Sequence, residues 1–147
     1  MTQTPTNTVQ DAALATAQAY FSAYEQLDTE AVIALFADDI SYVIPFSATG
    51  GLEPWSRFSG KAQAAEHVHE IGERYQSIAF KDKQFTVSAD GRWVFFEATG
   101  NLVAKKNSQA YQNKYIIKFG VNGGKITQIS EYANPVTFAK LSGHKLG

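Results

Sequence analysis

A chain of 147 residues and 16.1 kDa is large enough for one domain that buries roughly two thirds of the surface its unfolded form exposes. Its 13 Lys plus Arg face 14 Asp plus Glu, a formal charge of −1, so it has no field to recruit nucleic acid or an anionic membrane surface. The absence of cysteine excludes a disulfide framework, a thiolate nucleophile and a cysteine metal site, while 44% hydrophobic and 13% aromatic residues suffice to fill a core and also line a cavity.

Residues 1–7 are polar and contain Pro5, so a loose arm is expected there, followed by a single domain over 8–147. The N-terminus lacks the basic start and apolar core of a signal peptide, and no stretch reaches the roughly 18 apolar residues of a membrane span; a soluble cytoplasmic protein is the expectation. From Thr8, the spacing of Val9, Ala13, Ala17, Tyr20, Tyr24 and Leu27 predicts one face of a long helix. Asp28 ends it and caps a second, short helix whose stripe is Val32, Leu35 and Phe36, closed by Asp38 and Asp39 as a helix-end turn. Ile40 to Phe46 reads as a strand. Ser47 to Gly60, with Gly50, Gly51, Pro54 and Gly60 around Leu52, Trp55 and Phe58, reads as a loop held by buried anchors, of the kind that rims a pocket. After Ser59 as N-cap, Lys61 to Tyr75 places Ala64, His67, Val68, Ile71 and Tyr75 on one helical face.

The second half has strand character. Residues 78–87, 93–104, 111–121 and 125–133 are β-rich runs separated by turn signals such as Ala89-Asp90-Gly91 and Asn122-Gly123-Gly124, which predicts an antiparallel meander. In the third run Tyr111, Asn113, Tyr115, Ile117, Phe119 and Val121 share a mostly apolar face. Pro135 opens a terminal helix that Gly143 stops. Helices first and strands afterwards is an α+β order, with a curved sheet wrapping the helices and leaving one end open.

Four short pieces, Leu35-Phe36-Ala37-Asp38-Asp39, Gly60-Lys61, Gly124-Lys125-Ile126 and Glu131-Tyr132-Ala133-Asn134-Pro135, resemble in order and spacing the SnoaL-like and ketosteroid isomerase-like branch of the nuclear transport factor two superfamily, from about Thr8 to Gly143. The resemblance implies a cone-shaped, cystatin-like roll and a small-molecule pocket. It does not imply one activity, since isomerases, cyclases, dehydratases, hydrolases and plain binders share the fold. Against ketosteroid isomerases, the helix tyrosine that donates to the oxyanion falls on Tyr20. The general-base aspartate falls on Ile44 before Pro45, which removes that mechanism. The second oxyanion donor, a carboxylic acid kept neutral by an apolar site, falls near Tyr115 or Ile117. The chain is also similar to the phenazine-biosynthesis A/B proteins. Their pocket histidine matches His67, their pocket glutamate matches Glu131, and a serine one turn beyond their histidine falls on Ile71.

Each candidate has a plain structural reading beside the functional one. His67 faces the interior and titrates near neutrality, which suits acid/base work; alternatively it is a core histidine bonded to a carbonyl. His69, roughly 200° round the helix, cannot share a metal with it. Glu131 shares parity with Thr127 and Ile129, a parity that by the resemblance points into the cone, where a carboxylate would have its charged form disfavoured; alternatively it caps a helix or forms an ion pair. Tyr20 and Tyr24, one turn apart, can aim hydroxyls at a substrate oxygen or simply fill the core. Trp55, Phe58, Ile71, Asn113, Tyr115, Ile117 and Ile129 complete the expected substrate wall, although Asn113 can equally serve backbone groups. Glu97 has no readable direction. These residues favour a cofactor-independent, metal-free acid/base enzyme of isomerase, cyclase or lyase type acting on a small cyclic or aromatic carbonyl compound, with Glu131, His67 and Tyr20 as its catalytic groups. The alternative is a non-catalytic carrier of a hydrophobic metabolite. A homodimer is expected through the sheet face bearing Val94, Phe96 and Ile116, with no nucleic-acid or membrane partner.

Overall fold

A computed structural model describes residues 5–143 of the protein, with side chains from Thr8 onward. Four helices and six strands follow one another as α1 (Pro5–Glu25), α2 (Thr29–Ala34), β1 (Phe36–Ile44), β2 (Ser56–Ser59), α3 (Lys61–Arg74), β3 (Tyr75–Val87), β4 (Trp93–Ala104), β5 (Ala110–Asn122), β6 (Lys125–Ala133) and α4 (Pro135–Ser142). The sheet order is β2-β1-β6-β5-β4-β3. All neighbours are antiparallel except β1 and β6. This is the expected α+β roll, a curved sheet closed on one side by α1 to α3.

Helix α1 begins at Pro5 instead of Thr8. Of the arm expected over residues 1–7, residues 1–4 lie outside the described residues, as do residues 144–147 at the far end. Ala13 and Ala17, 1% and 0% exposed, let the helix lie close on the sheet. Phe21 stacks on Phe96 of β4 at 3.6 Å, and Tyr20 meets Phe119 of β5 edge-on at 5.1 Å. The helix ends in a left-handed residue, Leu27 (φ 57°), with the Asp28 amide donating to the Ala23 carbonyl and the Leu27 amide to that of Tyr24. This is the Schellman arrangement that usually has glycine at that position. Asp28 then caps α2, its Oδ1 accepting from the Ala31 amide at 3.1 Å.

Three local expectations change. Asp38 and Asp39 lie inside β1, both exposed. They sit where five steps of β1, Phe36 to Ser41, oppose two of β6, Ile126 to Gln128, so the pair marks a bulge and not a helix end. Leu52, expected as a buried anchor, is 103% exposed, and strand β2 closes the second half of that loop. The cap of α3 is Gly60 (φ 86°), while Gln63 accepts from the Ser59 amide through its Oε1 at 2.8 Å, so the side-chain cap comes from inside the helix.

On β4, the strand parity buries Val94 and Phe96, both 0% exposed, and turns Phe95 outward at 42%. Val94 and Phe96 therefore belong to the core under α1, and of the three residues expected on the outer face only Ile116, 51% exposed, stands there. Glu97 shares the outward parity and has no ion pair among the described residues. No described helix is long and apolar enough to cross a membrane.

Candidate active site

The opening between the sheet and α3 is a cavity of about 370 Å³, within the range that holds a ring-sized ligand. Helix α1 contributes Tyr20 and Tyr24, β1 contributes Tyr42 and Ile44, and α3 contributes His67, Ile71 and Arg74. Strand β5 supplies Tyr111, Tyr115 and Ile117, and β6 supplies Glu131. Trp55, Phe58 and Phe138 of α4 also line the cavity.

The two ionisable groups singled out from the sequence therefore share one chamber. Ile117 and Glu131 are register partners on β5 and β6, so both side chains point off the same face. Glu131 Oε1 accepts a hydrogen bond from the Tyr42 hydroxyl at 2.7 Å. Burial raises the Glu131 pKa above its ordinary value, and the Tyr42 hydrogen bond opposes that rise. Residue-level exposure of Glu131 is intermediate although protein surrounds the group, because its carboxylate looks into the cavity.

His67 is stacked on Phe58 at 4.4 Å and meets Tyr42 edge-on at 5.0 Å. Its Nε2 is buried without a hydrogen-bond partner. Burial, followed by the charge of Arg74, lowers its pKa to about 4. At neutral pH it is therefore an uncharged imidazole. The Tyr42 ring lies between the two groups, bonded to one through its hydroxyl and packed against the other through its edge.

Tyr20 and Tyr24 meet edge-on at 4.9 Å, and burial above all keeps their hydroxyls, with those of Tyr42 and Tyr115, far more weakly acidic than free phenols. All four remain proton donors across the physiological range. The Tyr24 hydroxyl is buried with no hydrogen bond of acceptable geometry. A buried, unpaired donor is costly, and here it lines the cavity.

Two residues of the expected substrate wall do not line the cavity. Asn113 has all its bonding capacity filled internally. Its Nδ2 donates to the Tyr111 hydroxyl oxygen at 2.7 Å and to the Asn134 carbonyl at 3.0 Å, and its Oδ1 accepts from the Lys114 and Asn134 amides. It fixes the chain entering α4. Ile129 has the inward parity but is 0% exposed; its register partners Phe119 and Tyr42 flank it, and their side chains fill the space. Tyr24, Trp55, Phe58, Ile71, Tyr115 and Ile117 line the cavity. The principal omissions from the sequence reading are Tyr42, Arg74, Tyr75, Tyr111 and Phe138. For Tyr42 the signal was present in the alternation Ile40, Tyr42, Ile44, and for Tyr111 in its parity with Tyr115 and Ile117 on β5; Arg74 and Phe138 reach the cavity through the way α3 and α4 pack against the sheet, which no local pattern encodes.

A cone-shaped α+β protein with an aromatic chamber at its open end is thereby defined. The SnoaL-like domain profile matches residues 17–129, and the chain belongs to that family. Among curated proteins there is no significant match. Among solved structures, the chain is similar to a phenazine biosynthesis-related protein from Pseudomonas aeruginosa, at 17% identity and TM-score 0.82, covering 100% of this chain and 90% of that one. A polyketide cyclase candidate from Xanthomonas campestris pv. campestris has 23% identity, TM-score 0.75 and coverage of 88% and 96%. An isomerase candidate from Bacillus subtilis has 18% identity, TM-score 0.79 and coverage of 92% and 96%. At these identities the likeness is one of fold.

Proposed function

We propose that the protein is an acid/base catalyst, working without a cofactor, that moves a proton at the carbon beside the carbonyl of a small cyclic or aromatic compound. The observation that carries this reading is the Glu131 carboxylate, held by Tyr42 inside an aromatic chamber that shifts its pKa upward. A base works best when its pKa approaches the operating pH. Ionised Glu131 takes the proton from carbon and becomes the neutral acid, and the released electron pair moves onto the carbonyl oxygen to give an enolate. Tyr20 and Tyr24 donate hydrogen bonds to that oxygen, each such donor being worth about 3 kcal/mol in the transition state. Glu131 then returns the proton to another carbon to complete an isomerisation. Elimination of a β-hydroxyl, protonated to water, or attack of the enolate carbon on a second carbonyl are the dehydration and cyclisation outcomes of the same intermediate. Neutral His67 acts as a hydrogen-bonding partner or second base, not as a cationic acid.

The test is exchange of α-protons in a panel of cyclic ketones in heavy water, followed by proton NMR. Wild-type protein accelerates exchange for the compounds that raise its melting temperature, and Glu131→Gln abolishes the acceleration. Binding without any acceleration over buffer would sink the catalytic reading. One feature favours the alternative of a binding protein for a hydrophobic metabolite: Ile44 lines the cavity where a base would stand in ketosteroid isomerases. On that reading the ligand raises the melting temperature and returns chemically unchanged. The expected homodimer would form through the outer sheet face, where Phe95 and Ile116 are exposed; a monomer in sedimentation at micromolar concentration removes it.

A further inference from the structure

The deep part of the cavity is lined by hydroxyls, one carboxyl group and one uncharged imidazole. Its mouth is different. Arg74, the last residue of α3, is the one Lys or Arg side chain among the described lining residues. Its guanidinium carbon lies 5.3 Å from the centre of the Phe138 ring. Phe138 in turn meets Trp55 at 6.1 Å and Tyr111 at 6.0 Å, and Tyr111 stacks on Tyr75 at 6.1 Å. The cation therefore sits on an aromatic rim at the entrance. A basic residue in a last helical turn is favoured by the helix dipole alone, but that preference does not require the side chain to fold over the opening.

Among the described residues Arg74 forms no ion pair. Glu70, one turn back, also lines the mouth and is exposed. The two charges do not act alike. The positive charge of Arg74 is felt at His67, Tyr75 and Tyr111, on three different elements, whereas Glu70 affects none of them. The guanidinium is held over Phe138 and hydrogen-bonded to Tyr75, two other lining residues.

We propose that Arg74 is the anion-recognising group of this cavity, and that the ligand carries a carboxylate at the end opposite its carbonyl. The proposal rests on the carbonyl-compound reading above and deepens it. With the carbonyl oxygen at Tyr20 and Tyr24, the ring lies against Tyr42, Phe58 and Tyr115, and the carboxylate meets the guanidinium at the rim. Arginine suits this place because its planar fork matches a carboxylate in two parallel hydrogen bonds while its face stays on an aromatic ring. Apolar walls beside the rim limit the screening that weakens exposed pairs.

The experiment is isothermal titration of the protein with 4-oxocyclohexanecarboxylate, its methyl ester, and the ring-matched amine 4-(aminomethyl)cyclohexanone. Wild-type protein is expected to bind the acid about tenfold or more tightly than the ester, the effect of one well-placed charged hydrogen-bonding pair. Arg74→Gln should erase the difference, Arg74→Lys should restore part of it, and added salt should narrow it in the wild type alone. Equal binding of acid and ester, a preference for the amine, a preference that survives Arg74→Gln, or no binding of the acid overturns the proposal. The catalytic reading fails separately: an acid preference that persists in Glu131→Gln, with no proton exchange in wild type, keeps the anion site and discards the chemistry.

Discussion

Replacing His67 by Phe removes a buried base while keeping a flat ring between Phe58 and Tyr42, so its effect should appear only in acid. The folded-state pKa of His67 is depressed from 6.5 to about 4. The unfolded chain therefore takes up a proton on this residue first as the pH falls. The stability contributed by the neutral imidazole is complete above about pH 6.5, declines through the window between the two values, and is fully lost near pH 4. Multiplying the gap between 6.5 and about 4 by roughly 1.36 kcal/mol per pH unit gives about 3 kcal/mol. For a chain of this size that corresponds to roughly 10 °C in melting temperature.

The assay is urea denaturation of wild type and His67→Phe at several pH values from 7.5 to about 4, the window set by that linkage, with the difference between the proteins as readout. Groups common to both, including Glu131, Glu70 and Arg74, largely cancel in that difference. At neutral pH the variant should equal or slightly exceed wild type, since an unpaired buried nitrogen disappears. In acid it should gain steadily on wild type, by about 3 kcal/mol at the lower end. Parallel curves across the range would show that the imidazole protonates freely in the folded protein, and the picture of a buried neutral His67 would be wrong.

Glu131→Gln should act in the opposite direction along the pH axis. A carboxyl whose folded pKa is raised contributes stability that is complete below the unfolded value of 4.5 and is lost as pH rises through the folded value, so the variant should gain on wild type in denaturation curves as the pH is raised above 4.5; no gain would place the carboxylate in water. Gly100→Ala tests the packing behind the cavity: an added Cβ would stand 2.4 Å from Tyr115 Cε2, pushing the ring off β4. Overpacking of this kind costs about 1 to 3 kcal/mol, and an unchanged melting temperature would mean that the ring moves aside freely.

The legible parts of the fold were those with a clear period. Residues 93–104 and 125–133 became β4 and β6 with the expected bounds, and Asp28, Pro135 and Gly143 mark helix ends as their chemistry dictates. Where period was absent, direction was lost. Trp93 to Phe96 are all apolar, so their alternation has no contrast, and only pairing with β5 shows that Phe96 points in and Phe95 out. Asp38 and Asp39 read as a turn because acidic pairs favour one, yet the bulge against β6 accommodates them within a strand. The chamber was legible only in part, for a similar reason. His67 and Glu131 are each readable as inward-facing on their own elements, but their meeting depends on sheet curvature and on α3 crossing β1, which no local pattern encodes.

The opposed behaviour of those two residues has one origin. Burial penalises charge of either sign, so it lowers the imidazole pKa, raises the carboxyl pKa, and holds four tyrosines protonated. The chamber is consequently rich in hydrogen-bonding groups and poor in fixed charge, a combination suited to a neutral carbonyl that acquires negative charge only as it reacts. At the rim solvent reaches the side chains and the penalty fades. A permanent cation survives there, in Arg74, without unsettling the interior beyond His67 and the two tyrosines nearest to it. The gradient from charged rim to weakly charged depth follows from the open cone itself, and under the two proposals above it would orient a bound molecule with its acidic end outward and its reacting end at Glu131.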